Sequence, residues 1–208
     1  MGLMKKIFNN TARPAGFFGK MMVNSMNSGH AKMSDWGMSY LKGINPTTIA
    51  DLGCGGGRNA NVLLSKYKDA ELSAIDYSDV SVAKTKETNR DFMKRNRCMV
   101  KQADVSALPL ESGKYDLATA FETVYFWPGP TKSFKEVFRI LKSGGRFLIV
   151  NEADGTNKGD EKWEKMIDKM KIYSEEDLCD HLKEAGFAEV SVYHKRENNW
   201  IAFLATKE

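Results

Sequence analysis

From Thr47 onward, short apolar runs alternate with stretches whose apolar residues recur at helical spacing. Thr48 to Leu52 is apolar and ends in a glycine cluster, which reads as a strand, and residues 58 to 67 follow as a short helix. Leu72 to Ile75 predicts a second strand that stops at Asp76, and residues 79 to 94 predict a helix, although its apolar stripe is poor. Residues 98 to 102 and Tyr115 to Phe121 give the third and fourth strands. Phe134, Val137, Phe138 and Leu141 then fall at i, i+3, i+4 and i+7, an amphipathic helix that Ser143-Gly144-Gly145 is expected to stop. Phe147 to Val150 shows no alternation, as befits a strand buried on both faces. Ser174 and Asp177 have the spacing of a capping box ahead of Leu178, Leu182 and Ala185, with Gly186 placed to end that helix. Val190 to Tyr193 and Trp200 to Ala205 predict an antiparallel hairpin across Glu197-Asn198-Asn199.

Strands alternating with helices imply a mostly parallel sheet covered on both faces. The expected architecture is therefore α/β: a doubly wound, Rossmann-like, seven-stranded sheet closed by a C-terminal antiparallel hairpin. Residues 44–208 would form this domain. Residues 1–43 read differently. Asn9, Asn10, Pro14, Gly16 and Gly19 make residues 8 to 20 irregular, with Phe17 and Phe18 as anchors. Met22, Met26, Met33, Trp36, Met38, Tyr40 and Leu41 are helix-compatible but broken at Ser28-Gly29, predicting two short helices or a kinked one. We expect this part to be an N-terminal helical lid.

Composition changes the picture in three ways. The net charge of +4 is concentrated at one end: residues 1 to 42 carry six Lys/Arg against one acidic residue, leaving the remainder close to neutral. A neutral body weakens any case for nucleic-acid binding. Seven of the 11 methionines lie in the first 38 residues, but without the unbroken apolar core of a secretory signal, and no run is long enough to span a membrane. Cys54, Cys98 and Cys179 are odd in number and widely spaced, which points to a reducing, cytoplasmic setting and away from a disulfide framework. No group of His, Cys and acidic residues shows metal-ligand spacing in the sequence, so no metal is expected.

The most informative run is Asp51-Leu52-Gly53-Cys54-Gly55-Gly56-Gly57-Arg58. Glycines after a strand let the backbone turn tightly and approach a ligand closely, and the following helix aims its free N–H groups at the same place. A dinucleotide site requires Gly-x-Gly-x-x-Gly, and counted from Gly53 the third glycine position falls on Arg58. Asp51 beside the loop would repel a pyrophosphate and suits a ligand bearing amines and hydroxyls. Asp76 ends the second strand, where a carboxylate can accept both ribose hydroxyls, and Asp104 follows the third, within reach of an adenine amino group.

These features resemble the class I S-adenosylmethionine-dependent methyltransferases, of the small-molecule type similar to the ubiquinone/menaquinone biosynthesis enzymes, over about residues 45 to 206. Asp51 to Gly57, with Gly53, Cys54, Gly55 and Gly57, matches the family's first motif, whose glycines cradle the methionine and ribose. Asp76 matches the ribose-binding acid, with Tyr77 near the adenine. Ala103-Asp104-Val105 matches the segment that reads the adenine edge. Tyr115-Asp116-Leu117 and Phe121-Glu122 match the fourth-strand motif. Ile140 to Gly145 matches the turn before strand five, with Ser143 where proline is usual. The resemblance implies S-adenosyl-L-methionine as cofactor, S-adenosyl-L-homocysteine as product and a small-molecule methyl acceptor.

Methyl transfer from a sulfonium is an in-line displacement that needs a placed nucleophile and a dry site. Acceptor-side candidates come from two places. Glu122, Tyr125 and Trp127 lie at the exit of the fourth strand; Phe126 beside them is expected to pack a helix. His30, whose ordinary pKa lies near neutrality, is the candidate base from the N-terminal segment. His30, Tyr125 and Glu122 are thus the candidate catalytic residues. Residues 153 to 171 are either a second pocket wall or a plain surface connection. Two other functions compete: a nicotinamide-dependent oxidoreductase, which the glycine spacing opposes, and a methyltransferase acting on a macromolecule, for which Phe121-Glu122-Thr123-Val124 lacks the motif of base-amine methylation. The oligomeric state is not legible in the sequence.

Overall fold

The computed structural model describes residues 29–157 and 159–208. Seven strands form one sheet: β1 (Thr48–Leu52), β2 (Glu71–Asp76), β3 (Cys98–Gln102), β4 (Tyr115–Phe121), β5 (Leu141–Asn151), β6 (Glu189–Lys195) and β7 (Trp200–Thr206). Their order is β3-β2-β1-β4-β5-β7-β6, with β1 to β5 parallel and β7 antiparallel to both β5 and β6. The chain leaves β1 toward one edge and returns to the other side of β1 at β4. That reversal opens a crevice at the carboxyl ends of the two central strands.

Side-chain alternation divides the apolar residues between two layers. On β5, Phe147 and Ile149 face one layer while Leu148 and Val150 face the other. The first layer packs beneath α5 (Pro130–Ile140) and α7 (Glu175–Ala185), where Phe134, Phe147, Phe187 and Phe203 are all but fully buried. The second packs beneath α1 (Ala31–Met38), α2 (Arg58–Lys66) and α3 (Asp79–Thr88). The capping box at Ser174 and Asp177 and the left-handed Gly186 bound α7 as the spacing predicts.

Two expectations about helix limits need adjustment. The helix over 79–94 is two helices, α3 and α4 (Arg90–Lys94), separated at Asn89. The Asn89 side chain is completely buried and donates from Nδ2 to the carbonyls of Gly57 and Thr85, so it serves the glycine loop rather than continuing the helix. The helix through Phe138 ends at Ile140, three residues before Ser143. Leu141 already pairs with Tyr115 in the sheet, and the Lys207 ammonium donates to the carbonyls of Phe138 and Leu141 at the helix end. Residues 153 to 171 include a short helix, α6 (Asp160–Met166).

The expected lid is in part core. Met33, Met38 and Leu41 are between 1% and 4% exposed and belong to the same buried layer as Ile49 and Leu63. Gly37 lets α1 approach β5 so closely that a Cβ there would lie 2.3 Å from Val150 Cγ2. Residues 31–41 therefore cover the sheet. Met22, Met26 and the irregular stretch at 8 to 20 lie outside the described residues.

Met33→Ala should cost about 2–4 kcal/mol in a denaturant titration, because it deletes a buried side chain from a packed layer. A chain beginning at Gly43 should lose its cooperative transition for the same reason. Retention of wild-type stability by either would show that α1 is an accessory.

Candidate active site

The glycine loop is shaped from outside by α3. Thr85 Oγ1 donates to the Gly55 carbonyl at 2.8 Å, Thr88 Oγ1 to Gly56 at 2.8 Å and Asn89 Nδ2 to Gly57 at 2.9 Å. Three successive carbonyls are thereby held on one side. The polar residues that spoil the apolar stripe of α3 are the ones that hold the loop. Gly53, Gly55 and Gly57 all have positive φ, but only Gly55 has open space where a Cβ would stand. At Gly53 a Cβ would collide with Thr123 Oγ1, and at Gly57 with Asn89 and Thr85. Gly55 is thus the bare floor of the loop. The helix α2 begins directly after it, with no side chain capping its first turn.

Beside the loop lies a cavity of about 500 Å³, within the range usual for small-molecule sites. Gly53, Asp76, Tyr77, Ala103, Asp104 and Val105 line it, together with Thr123, Phe126, Trp127, Pro128, Asp168 and Lys169. The Asp76 carboxylate is fixed by two backbone donors, Gly55 N–H on Oδ2 and Ser78 N–H on Oδ1, both at 2.9 Å. Burial pushes its pKa up to about 6 against those bonds. Asp104 Oδ1 accepts from Ser106 N–H.

Asp51 is not among the residues that line the cavity. It stands in β1, 1% exposed, with Oδ1 accepting from Thr119 Oγ1 at 2.9 Å and Oδ2 without a hydrogen-bond partner. Burial pushes its pKa up to about 7. Cys54 packs on Thr85 Oγ1 with its thiol raised by burial, and Phe121 belongs to the layer under α2. Cys54, Gly57 and Phe121 therefore shape the site from behind, while Gly55 leaves open space at the loop beside the cavity.

His30, Glu122 and Tyr125, predicted from two distant parts of the chain, meet at one corner at the carboxyl end of β4. His30 Nδ1 lies 3.7 Å from Glu122 Oε2 and 3.4 Å from Glu152 Oε2. Glu122 Oε1 accepts from Tyr125 Oη at 3.1 Å and from the Glu152 N–H. Ala153 N–H donates to Tyr125 Oη at 2.9 Å. Glu122 has φ +56°, a left-handed backbone that costs a non-glycine residue about 1–2 kcal/mol, so the turn holds this carboxylate against its backbone preference. Burial raises Glu122 to about 7, opposed first by His30. Glu152 raises His30 and is lowered by it in return, while burial opposes the rise at His30. The corner can take up a proton or a cation. Glu152 went unnoticed in the sequence, although it follows the fifth strand just as Asp76 and Asp104 mark the second and third.

The aromatic assignments partly exchange. Phe126 lines the cavity rather than only packing a helix. Trp127 lines it too, but it is 7% exposed, stacked on Phe147 and bonded through Nε1 to Thr123 Oγ1, so its main role is in the core. Tyr125 is buried in the corner.

Residues 50–149 match the family model described as a methyltransferase domain. The match runs from β1 through most of β5, the part of the sheet that carries the glycine loop. A chloroplastic protein of Arabidopsis thaliana described as an uncharacterized methyltransferase is 32% identical over 112 residues, covering 52% of this chain and 32% of its own length. The chain thus spans about a third of that relative's length. An uncharacterized methyltransferase of Bacillus subtilis is 25% identical across 84% of this chain and 90% of its own. The structure of geranyl diphosphate C-methyltransferase from Streptomyces coelicolor, with Mg2+, geranyl diphosphate and S-adenosyl-L-homocysteine, superposes with a TM-score of 0.75. It is 12% identical, covering 94% of this chain and 87% of that one, so the likeness is one of fold.

Asp51 has a testable signature. Its folded pKa lies above the ordinary carboxylate value, so between about pH 4 and 7 the folded state binds more protons than the unfolded state. Rising pH then costs stability. Whatever its fixed offset, ligand-free Asp51→Asn should gain on wild type as pH rises from 4 to 8, measured as the difference in Tm. A pH-independent difference would mean that Asp51 ionises normally.

Proposed function

We propose that the chain binds S-adenosyl-L-methionine in the cavity beside the glycine loop and transfers its methyl group to a small-molecule acceptor. The observation that carries this reading is the pairing of the bare, left-handed Gly55 with the Asp76 carboxylate that its N–H holds. The loop admits close approach of a ligand there, and the Asp76 carboxylate, held by Gly55, Ser78, Ser81 and Tyr77, is set at the cavity wall as the acceptor for the ribose hydroxyls. The buried, unpartnered Oδ2 of Asp51 fits a site that is to receive an ammonium group or an ordered water. Tyr77 and the segment Ala103 to Val105 would hold the adenine end.

The bound sulfonium supplies the activated methyl group. The protein's part is to place the acceptor in line and exclude water. His30, Glu122 and Tyr125 form the acceptor-facing corner and orient a polar acceptor. Phe126 and Trp127 supply the apolar wall between this corner and the adenine end. Small-molecule acceptors are supported by the concave, aromatic-lined site and by the geranyl diphosphate held in the similar Streptomyces fold. The near-neutral body past residue 42 supports the same choice over nucleic acid, and among the described residues no helix is long and apolar enough to cross a membrane.

Calorimetry with S-adenosyl-L-homocysteine tests the cofactor assignment. Gly55→Val should weaken binding at least tenfold with the circular dichroism unchanged. Asp76→Ala should cost more than Asp76→Asn, since each charge-assisted hydrogen bond is worth roughly 1.5–3 kcal/mol. Wild-type affinity in Gly55→Val and both Asp76 variants, or binding of a nicotinamide dinucleotide in place of S-adenosyl-L-homocysteine, would overturn the reading. Binding to the wild-type protein should also tighten as pH rises through about 6, where Asp76 ionises and becomes a better acceptor, and this dependence should flatten in Asp76→Asn.

A further inference from the structure

The corner at the carboxyl ends of β4 and β5 gathers one imidazole nitrogen and two carboxylate oxygens. Ligand atoms of His30, Glu122 and Glu152 lie within 4.8 Å of one another. His30 Nδ1 is shielded from solvent and has no partner in hydrogen-bonding geometry, although Glu152 Oε2 and Glu122 Oε2 stand 3.4 and 3.7 Å away. An imidazole that merely paired with a carboxylate would close to a shorter, linear contact, as His194 does with Glu175 at 2.8 Å elsewhere in this chain. The 3.4 and 3.7 Å spacings instead match the edge of a tetrahedron built on metal–ligand bonds of about 2.0–2.2 Å, whose corners stand about 3.4 Å apart.

The surroundings also resemble those of a built ligand set. Glu122 Oε1 is occupied by Tyr125 Oη and the Glu152 N–H, which leaves Oε2 aimed at the imidazole. Fixing one carboxylate oxygen so that the other can ligate is the outer-shell arrangement of metal sites. The left-handed backbone of Glu122 puts its carboxyl there at a conformational cost. Glu122 is largely buried while Glu152 is half-exposed, so the cluster has a closed side and an open one. A set of one nitrogen and two oxygens suits a borderline divalent transition ion better than a hard one.

We propose that His30, Glu122 and Glu152 bind a divalent transition cation of the Zn2+ or Mn2+ class, with the remaining coordination positions open toward the acceptor side. Cation binding stands independently of the methyl-transfer reading. What the ion would hold rests on that reading: an acceptor bearing a hydroxyl or carboxylate oxygen, which the ion would fix and polarise.

The test is calorimetry of the full chain with ZnCl2 and MnCl2, without cofactor, and with MgCl2 as the hard-ion comparison. One ion per chain should bind with a micromolar dissociation constant to Zn2+ or Mn2+ and at least tenfold more weakly to Mg2+. Glu152→Gln and His30→Ala, both at partly exposed positions and checked for folding by circular dichroism, should each weaken Zn2+ or Mn2+ binding at least tenfold. S-adenosyl-L-homocysteine affinity should stay within about threefold in both. Absence of binding at millimolar ion, or binding that neither variant weakens, would overturn the cation site while leaving the cofactor assignment to its own test. Loss of homocysteine-derivative binding in wild type would count against the methyl-transfer reading and leave the ion result intact.

Discussion

The site depends first on three hydrogen bonds that α3 makes to the glycine loop. Glycines give a backbone freedom, and freedom by itself does not make a binding site. Thr85, Thr88 and Asn89 take the carbonyls of Gly55, Gly56 and Gly57 in turn, which leaves the loop a fixed polarity. The Gly55 N–H then meets Asp76, which lines the cavity together with Gly53. Because α3 is anchored through Val82 to the layer it shares with Leu72 and Val100, the loop inherits the rigidity of the sheet.

A second set of contacts joins α1 to the residues that follow the loop. Arg58 pairs with Asp35 at 2.7 Å, and Asn59 Nδ2 donates to Ser34 Oγ at 3.2 Å. His30 lies at the start of α1, so the corner it shares with Glu122 and Glu152 is fastened to the far side of the loop through these two side chains. The two halves of the site, one built by β1 to β3 and the other by β4, β5 and α1, are thus braced against each other by residues that line neither half.

Much of this was legible in the sequence, and the reasons differ by element. The strands read well because a doubly wound sheet buries both faces and leaves uninterrupted apolar runs such as Phe147 to Val150. The acids at strand ends read well because the topology itself places ligands there. What escaped was long-range. The weak amphipathicity of residues 79 to 94 looked like noise, since nothing local shows that Thr85, Thr88 and Asn89 face a loop 30 residues earlier. Ser143-Gly144-Gly145 looked like a helix stop, while the actual end at Ile140 is set by a sheet pairing with Tyr115 and by Lys207 far down the chain. The methionines of the N-terminal part looked like a lid because their apolar spacing does not say which surface they cover. Glu152 is not legible in the sequence because His30, Glu122 and Glu152 stand far apart along the chain and are neighbours only in space.

The strand order has a consequence for how the chain reaches this structure. Among the described residues β6 pairs with β7 alone, and β7 lies between it and β5. During synthesis β6 therefore emerges with no place in the sheet until the following strand has been made and has docked on β5. Until then the β5 edge, whose Phe147 to Val150 segment is wholly buried in the finished fold, is an open template for pairing with another chain. The interval between translation of Val150 and docking of Phe203 is when the nascent sheet is most exposed to aggregation, and the strand made after β6 is the one that ends it.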